Sequence, residues 1–426
     1  MLPLKLRLLS AILTAAVVMC SGCSLTKDPQ SYMRLPRLPE DKESLKQLIQ
    51  NALPPGASLV RPKKSRALGS IYVNDLNRDG VQEAVVFYQS ADNAKGLTGM
   101  LWQQDGDSWK QLEQFQGEGY ELDTLLFEDV TLDGNLDMLA GYSGGPKVSK
   151  GLVVYRFNGQ NFSKEMETPY AEFIVDDLNQ DNSKDLSVLT LERHVDSRLT
   201  VYQYARGGFQ PVDTVVLDAN VNGYASAKAG WIADGIRGIA LDAGVGAHSA
   251  STQLVYFDQG HLTKAFPDHD VPLKPRQAIN GDFNGDGIME IGIDREPKGW
   301  EQEAMATMPW ITAFYRWDGR QGFSTSPLYE WYMDIANGFY FEIPGAWNGD
   351  YTLERPKDEG VIRFTLAGGV SGVEWKTMPE ETWNAMQPTA DWMEIGRTAK
   401  TVTALLLTEE SRKYTGSFRP LSGLEK

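Results

Sequence analysis

The chain has 426 residues, 42% of them hydrophobic and 23% charged, with a formal net charge of −16. That is a globular composition, long enough for two domains with ample cores. The acidic balance and the lack of any basic stripe exclude nucleic acid as a partner.

Lys5 and Arg7 precede an apolar run from Leu8 to Met19, broken only by Ser10 and Thr14. The run is too short and too early for a lasting transmembrane helix and reads as a signal segment. It leads into Cys20, Ser21, Gly22 and Cys23, and the small residues before Cys23 resemble a bacterial lipobox. That resemblance makes residues 1–22 a lipoprotein signal peptide and Cys23 the lipidated first residue. The expected location is extracytoplasmic, lipid-anchored to the outer face of the cell membrane. Removal of Lys5 and Arg7, with no acid lost, takes the formal charge from −16 to −18. Cys20 and Cys23 are the only two cysteines, so the exported part has no disulfide and depends on core burial and on bound ions.

Residues 23–39 are polar, with Pro29, Pro36 and Pro39, and read as lipid anchor and flexible tether. Leu45, Leu48, Ile49 and Leu53 recur at helical spacing until Pro54, Pro55 and Gly56 stop the pattern. Residues 40–59 are therefore expected to be a short amphipathic helix and lead-in that caps the domain beginning at residue 60.

From residue 60 to 330 a repeat of about 50 residues governs the chain. Its first signal is an acid-rich loop, seen four times. The oxygen-bearing positions 1, 3, 5 and 9 are Asp75, Asn77, Asp79 and Glu83; Asp129, Thr131, Asp133 and Asp137; Asp177, Asn179, Asp181 and Asp185; and Asp282, Asn284, Asp286 and Glu290. Position 7 (Val81, Asn135, Ser183, Ile288) would add a main-chain carbonyl. Side-chain oxygens at this spacing suit a hard cation that takes six to eight oxygens. Glycine at position 6, Asn182 in the third copy, permits the positive φ that lets the loop wrap the ion. Acidic turns without metal would explain the bend, but not so much charge in one place. A fifth unit falls between the last two: the stretch around Asp234 and Gly235 keeps the loop's shape, yet Gly230, Ile232 and Gly238 occupy ligand positions, so no ion is expected there.

The second signal is a hairpin about 30 residues after each loop, turning at Asp105-Gly106, Asn158-Gly159, Gly207-Gly208, Gln259-Gly260 and Asp318-Gly319 between aromatic-rich runs. Four antiparallel strands per unit, repeated five times, predict an all-β propeller of about five recognisable four-stranded blades.

These units resemble the FG-GAP/VCBS repeats of integrin α-like β-propellers, and the arrangement as a whole resembles the lipid-anchored VCBS-repeat proteins of Firmicutes. The resemblance implies Ca2+ in up to four sites, one per intact loop, with Thr131 making the second site the weaker. It also implies adhesion or ligand binding, with no fixed reaction.

Past residue 330 the repeat fades, and eight of the eleven tryptophans lie at or beyond Trp300. Residues 331–426 are expected to be a Trp-rich C-terminal α+β segment; alternatively, their strands close a larger propeller. Strands are predicted near residues 338–344, 351–354, 361–366 and 401–407, with short helices at 379–386 and 409–414. Trp347, Trp375, Trp383 and Trp392 suit a core better than a sugar-stacking platform.

Signs of catalysis are few. His194, His248, His261 and His269 form no metal spacing. There is no nucleophile elbow, no zinc-protease pair and no phosphate-cradling loop. Paired carboxylates for glycoside cleavage are compatible with so acidic a chain. Two functions stay in view: a calcium-stiffened binding or scaffold module for cell-wall polymer, glycan or protein, and an extracellular polysaccharide hydrolase or lyase. The segments Gly141–Gly145 and Gly244–His248, expected as loops on one face, suit the first.

Overall fold

The computed structural model describes residues 40–424 apart from 65–68, 91–95, 146–149, 277, 321, 357–359 and 387–390. Cys23 and the tether lie outside the described residues. The protein is nearly all-β, built of antiparallel sheets whose strands mostly neighbour one another in chain order. Short turns between apolar runs dictate that meander, because consecutive strands joined by a tight turn pair with each other.

The first sheet comprises Ser58–Val60, Ile71–Asn74, Glu83–Gln89, Leu97–Asp105 and Ser108–Gln116. Ser58–Val60 thus already belongs to the sheet and not to the lead-in. The second comprises Glu121–Glu128, Asp137–Ser143, Lys150–Phe157 and Phe162–Tyr170. The third holds Glu172–Asp176, Asp185–Glu192, Asp196–Ala205 and Gly208–Val216. The fourth is Gly223–Ala233, Ile236–Val245, Ser249–Asp258 and His261–Lys264, with Leu273–Lys274 attached.

The fifth sheet departs from the predicted unit. Its strands are Asn280–Gly281, Glu290–Arg295 and Ile311–Tyr315, followed by Tyr329–Asp334, Phe339–Ile343 and Phe418–Pro420. The turn at Asp318-Gly319 forms only the single bridge Trp317–Phe323, so the partner of Ile311–Tyr315 is the later strand. Residue 330, expected as a domain boundary, falls inside this sheet. A sixth sheet runs Tyr351–Glu354, Val361–Leu366, Val370–Pro379, Thr401–Leu406 and Trp392–Arg397.

Each sheet packs on the next, and alternation along the strands carries the packing. In the second sheet Ala140 and Val153 face Val85 and Phe87 of the first, while their neighbours Leu139, Leu152 and Val154 face Leu186 and Val188 of the third. Leu189 and Val201 then meet Ile239 and Leu241, and Ala240 and Leu254 meet Ile291. Phe339 and Phe341 close the series against Phe364 and Trp375 of the sixth sheet. A strand buried on both sides reads as a continuous apolar run, as Glu83–Gln89 and Asp137–Ser143 do.

The two end sheets turn their outer faces to helices. Helix α1 (Glu40–Ala52) lays Leu45 and Ile49 on Ala84, Val86 and Met100 of the first sheet. Helix α2 (Glu380–Ala385) lays Trp383 on Val402 and Ala404 of the sixth. Among the described residues, no core cluster joins the first sheet to the sixth.

Of the four tryptophans expected in a core, Trp347, Trp375 and Trp383 are buried, the first two between the fifth and sixth sheets, and Trp392 is half-buried against the cluster of Trp383. Gly141 lies within a strand, not a loop; a Cβ there would meet Tyr170 Oη at 2.1 Å. Gly244 likewise sits in Ile236–Val245.

One polar knot lies at the junction of the fourth and fifth sheets. The Lys274 side chain is fully buried, with its Nζ 3.2 Å from Asp242 Oδ1 and 2.9 Å from Asn280 Oδ1. Asn280 and Ser226 also donate to Asp242, each at 2.7 Å. Such a pair is held by its extra hydrogen bonds, since the attraction alone does not repay the dehydration of two charges.

Candidate functional site

The four acid-rich loops share one geometry. In each, the residue before position 1 pairs with position 9 across the strand ends: Asn74 with Glu83, Glu128 with Asp137, Asp176 with Asp185, and Gly281 with Glu290. The loop is thus an eight-residue excursion between two paired strands. Its bend needs two left-handed residues. Position 6 is one, as expected: Gly80, Gly134, Asn182 and Gly287 have φ of 86°, 90°, 67° and 88°. Position 4 is the other, unforeseen from sequence: Arg78, Leu132, Gln180 and Gly285 have φ of 57°, 58°, 60° and 79°. A side chain in that region costs about 1 kcal/mol or more, so the loop's internal bonds must hold it.

Those bonds repeat. The position-6 amide donates to the carboxylate at position 1, at 3.0 Å onto Asp75, Asp129 and Asp177 and 2.8 Å onto Asp282. The position-7 amide donates to the carboxylate at position 5, at 2.7 to 3.0 Å onto Asp79, Asp133, Asp181 and Asp286. The position-2 amide reaches position 9: Leu76 to Glu83 at 2.8 Å, Val130 to Asp137 at 2.9 Å, Leu178 to Asp185 at 3.0 Å and Phe283 to Glu290 at 3.3 Å.

The position-9 carboxylates are buried, with 1%, 0%, 0% and 0% exposure at Glu83, Asp137, Asp185 and Glu290. Burial pushes Glu83 above the ordinary carboxylate range and pushes Asp137 and Asp185 up to about 6. Loss of water disfavours the charged form, and the amide donors only partly offset it. Two oxygens stand out: Asp129 Oδ1 and Asp185 Oδ1 are buried without a hydrogen-bond partner. A buried orphan acceptor is costly unless something positive meets it. Among the described residues, however, no three His, Cys, Asp or Glu side chains converge on one point. The carboxylates at positions 1 and 5 spend oxygens on loop amides instead.

A further set of residues was missed in the sequence. Gln103 pairs with Glu83 across the sheet, and Arg156, Gln203 and Arg316 each come one residue after the partner of the residue that follows position 9. Gln103 donates to Glu83 at 3.0 Å and Gln203 to Asp181 at 2.7 Å. Arg156 donates to Asp133 at 2.7 Å; Arg316 pairs with Asp286 and, at 2.8 Å, with Glu290. The first and third loops are therefore covered by a neutral amide, the second and fourth by a cation. In the fourth the guanidinium holds Asp286 below the ordinary carboxylate range, and Tyr329 donates to Glu290 at 2.6 Å. The only hint in the sequence was that each of these residues lies shortly before a hairpin turn.

The loops sit side by side along one edge of the row. Leu136 of the second loop donates its amide to Leu76 O of the first, at 2.6 Å. Met289 of the fourth donates to Trp231 O of the degenerate unit, at 2.8 Å. That unit has a two-residue turn, Asp234-Gly235, where the others have a loop. Gly230 pairs with Gly238 as Asn74 pairs with Glu83, so the excursion is one residue shorter than the sequence suggested. Ile232 fills the space beside Gly238, where a Cβ would meet its Cδ1 at 2.5 Å.

Fold and site together define an all-β protein of serially packed antiparallel sheets that carries acid-rich loops on one edge. No family model and no curated protein matches the chain. Among solved structures it is similar to the exotype rhamnogalacturonan lyase YesX, at 12% identity over 73% of this chain and 71% of that one, with a TM-score of 0.34. It is also similar to Chaetomium thermophilum Sqt1 bound to the N-terminus of ribosomal protein L10, at 12% identity, 76% and 92% coverage and a TM-score of 0.33. Bacillus licheniformis rhamnogalacturonan lyase PL11 gives 11% identity, 75% and 85% coverage and a TM-score of 0.29. Likenesses at this level define neither fold nor function.

Proposed function

We propose that the protein is a calcium-binding lipoprotein of the extracytoplasmic surface, a propeller-like scaffold that binds cell-wall polymer or glycan. The observation that carries the calcium reading is the buried, partnerless Asp185 Oδ1 in a loop covered only by neutral Gln203. A cation there would restore the charge balance that burial upsets. The first loop has no such orphan, since both Glu83 oxygens accept hydrogen bonds, but its cover, Gln103, is also neutral, which makes it the other favoured site; the second holds the orphan Asp129 Oδ1 but faces Arg156. The fourth loop, though its sequence is a full match, already has Arg316 in the cation's role, so it binds weakly or not at all. This ranking differs from the one drawn from Thr131. The propeller reading rests on the serial, chain-ordered packing of antiparallel sheets; α1 and α2, which cover the outer faces of the first and sixth sheets, make the proposed scaffold an open row and not a closed ring.

Binding, not turnover, is the activity this reading assigns. The patterned carboxylates accept from loop amides or pair with arginines, so this reading gives them a structural role and not that of a general acid or base. The purified protein is expected to co-sediment with insoluble cell-wall polysaccharide in calcium, without releasing reducing ends or unsaturated products. Product release that a single carboxylate substitution outside the loops abolishes would establish the enzyme instead.

Anchoring is proposed from the Cys23 junction alone. Among the described residues no helix is long and apolar enough to cross a membrane. In cells, Cys23→Ser should move the protein from the membrane fraction to the medium. An unmodified mature N-terminus elsewhere, found by mass spectrometry, would contradict lipidation.

A further inference from the structure

The short turn of the fourth unit leaves a gap in the row of loops, and the gap is lined for recognition. Two hollows flank it. One, of about 530 Å3, is bounded by Asp177, Asn182, Ser183, Lys184, Trp231 and Arg237. The other, of about 370 Å3, is bounded by Asn179, Val212, Tyr256 and Asp258 among others. Gln180 and Arg237 line both. Each lies within the size range of small-molecule sites. A cavity between the third and fourth sheets, near His269, is only about 120 Å3 and is too small for a sugar ring.

We infer that this gap is a binding groove for a neutral saccharide, with Trp231 as the stacking platform. The inference rests on the glycan-binding reading above and assigns it a place. Trp231 is half-buried, and its carbonyl is tied to Met289, which fixes the ring on a strand and not on a loop. Arg237 lies over the ring at 5.4 Å and is itself held by a two-pronged pair with Asp176, of which Nη2–Oδ2 is 2.8 Å. The indole is thereby pre-oriented, which lowers the ordering cost of binding. Arg237 covers one face of the indole, so a pyranose would stack its C–H face on the other. The amides, Ser183 and Lys184 around it offer donors and acceptors for hydroxyls at the ring's rim.

Charge selects among saccharides. Arg237 is neutralised by Asp176, Asp258 offsets Lys184, and Asp177 is committed to the third loop's ion, so the lining offers no free cation to a carboxylate. The chain as a whole carries −16. A polyanionic sugar would meet net repulsion; a neutral one would not.

Titration calorimetry of the purified protein with cellotetraose and chitotetraose tests this, with tetragalacturonate as the charged comparison. Saturable binding of a neutral tetrasaccharide is expected, with tetragalacturonate at least tenfold weaker. Trp231→Ala should weaken binding tenfold or more, and Trp231→Phe should retain most of it. Lys184→Ala changes an exposed side chain on the rim and should cost about threefold. An unchanged melting temperature in each variant shows that the fold is intact. Wild-type affinity in a folded Trp231→Ala protein would overturn the assignment, as would tighter binding of tetragalacturonate. If that variant still co-sediments with polymer, the groove is wrong and the binding reading survives; if the wild type is retained by no polymer, both fall.

Discussion

Removal of calcium is expected to lower the melting temperature by on the order of 10 °C. A ligand that binds only the native state adds about 2.7 kcal/mol at a hundredfold excess over Kd. Two distant sites, the first and third loops, should add nearly independently. In a chain of this size each kcal/mol shifts the midpoint by about 2 °C. Asp185→Asn separates the ion from the loop. The amide oxygen can still accept from Leu178 N–H, but the charge is gone. In calcium the variant should be less stable than wild type by about one site's contribution. In chelator the order should reverse or the gap close, because wild type then bears a buried charge without a counter-ion. Glu290→Gln should leave the wild-type calcium response nearly unchanged, since Arg316 serves that loop and the first and third sites are intact.

The pH dependence has its origin in the same burial. In the metal-free fold Asp137 and Asp185 titrate near 6, above the ordinary 3.8. Their protonated forms are therefore favoured on folding, a contribution present below the ordinary value and lost as pH rises through about 6. Calcium needs the ionised forms, so with calcium stability should rise over that interval instead. Melting curves at pH 4 to 7.5, with and without the ion, check both signs. Equal curves under all four conditions would sink the calcium reading.

Deleting residues 331–426 is expected to prevent folding, not to yield a shorter soluble protein. The cut removes most of Tyr329–Asp334 and all of Phe339–Ile343 and Phe418–Pro420 from the fifth sheet. It strips Tyr332, Phe339, Phe341, Phe364 and Trp375 from the cluster around Ile311. Each large apolar side chain contributes about 1.5–3 kcal/mol when buried. Five of them match or exceed the whole margin of about 5–15 kcal/mol that separates folded from unfolded domains. Size-exclusion chromatography and near-UV circular dichroism of the truncated chain should show aggregates or a loosely packed state. A monodisperse, sharply melting product that keeps its calcium response would show instead that the C-terminal segment is a separate domain.

Much of the loop architecture was legible because it is local. Positions 1 to 9 interact with one another through backbone bonds set by spacing, so Asp75 to Glu83 could be read without any knowledge of neighbours. Four of the five hairpin turns, all but Asp318-Gly319, and the amphipathic spacing of Leu45 and Ile49 were legible for the same reason. Even so, the left-handed backbone at Arg78, Leu132 and Gln180 gave no sign, since those residue types carry no preference for it.

What only the tertiary structure decided are the contacts between segments far apart in the chain. Arg316 meets Glu290 across 26 residues, and that encounter determines whether the fourth loop needs an ion. Trp375 and Trp231 are the same residue type. One is sealed at 0% exposure between two sheets, while the other is left half open where its own unit's turn is one residue short. Composition fixed the number of tryptophans and acids; burial, and hence their chemistry, was set by which sheet came to lie against which.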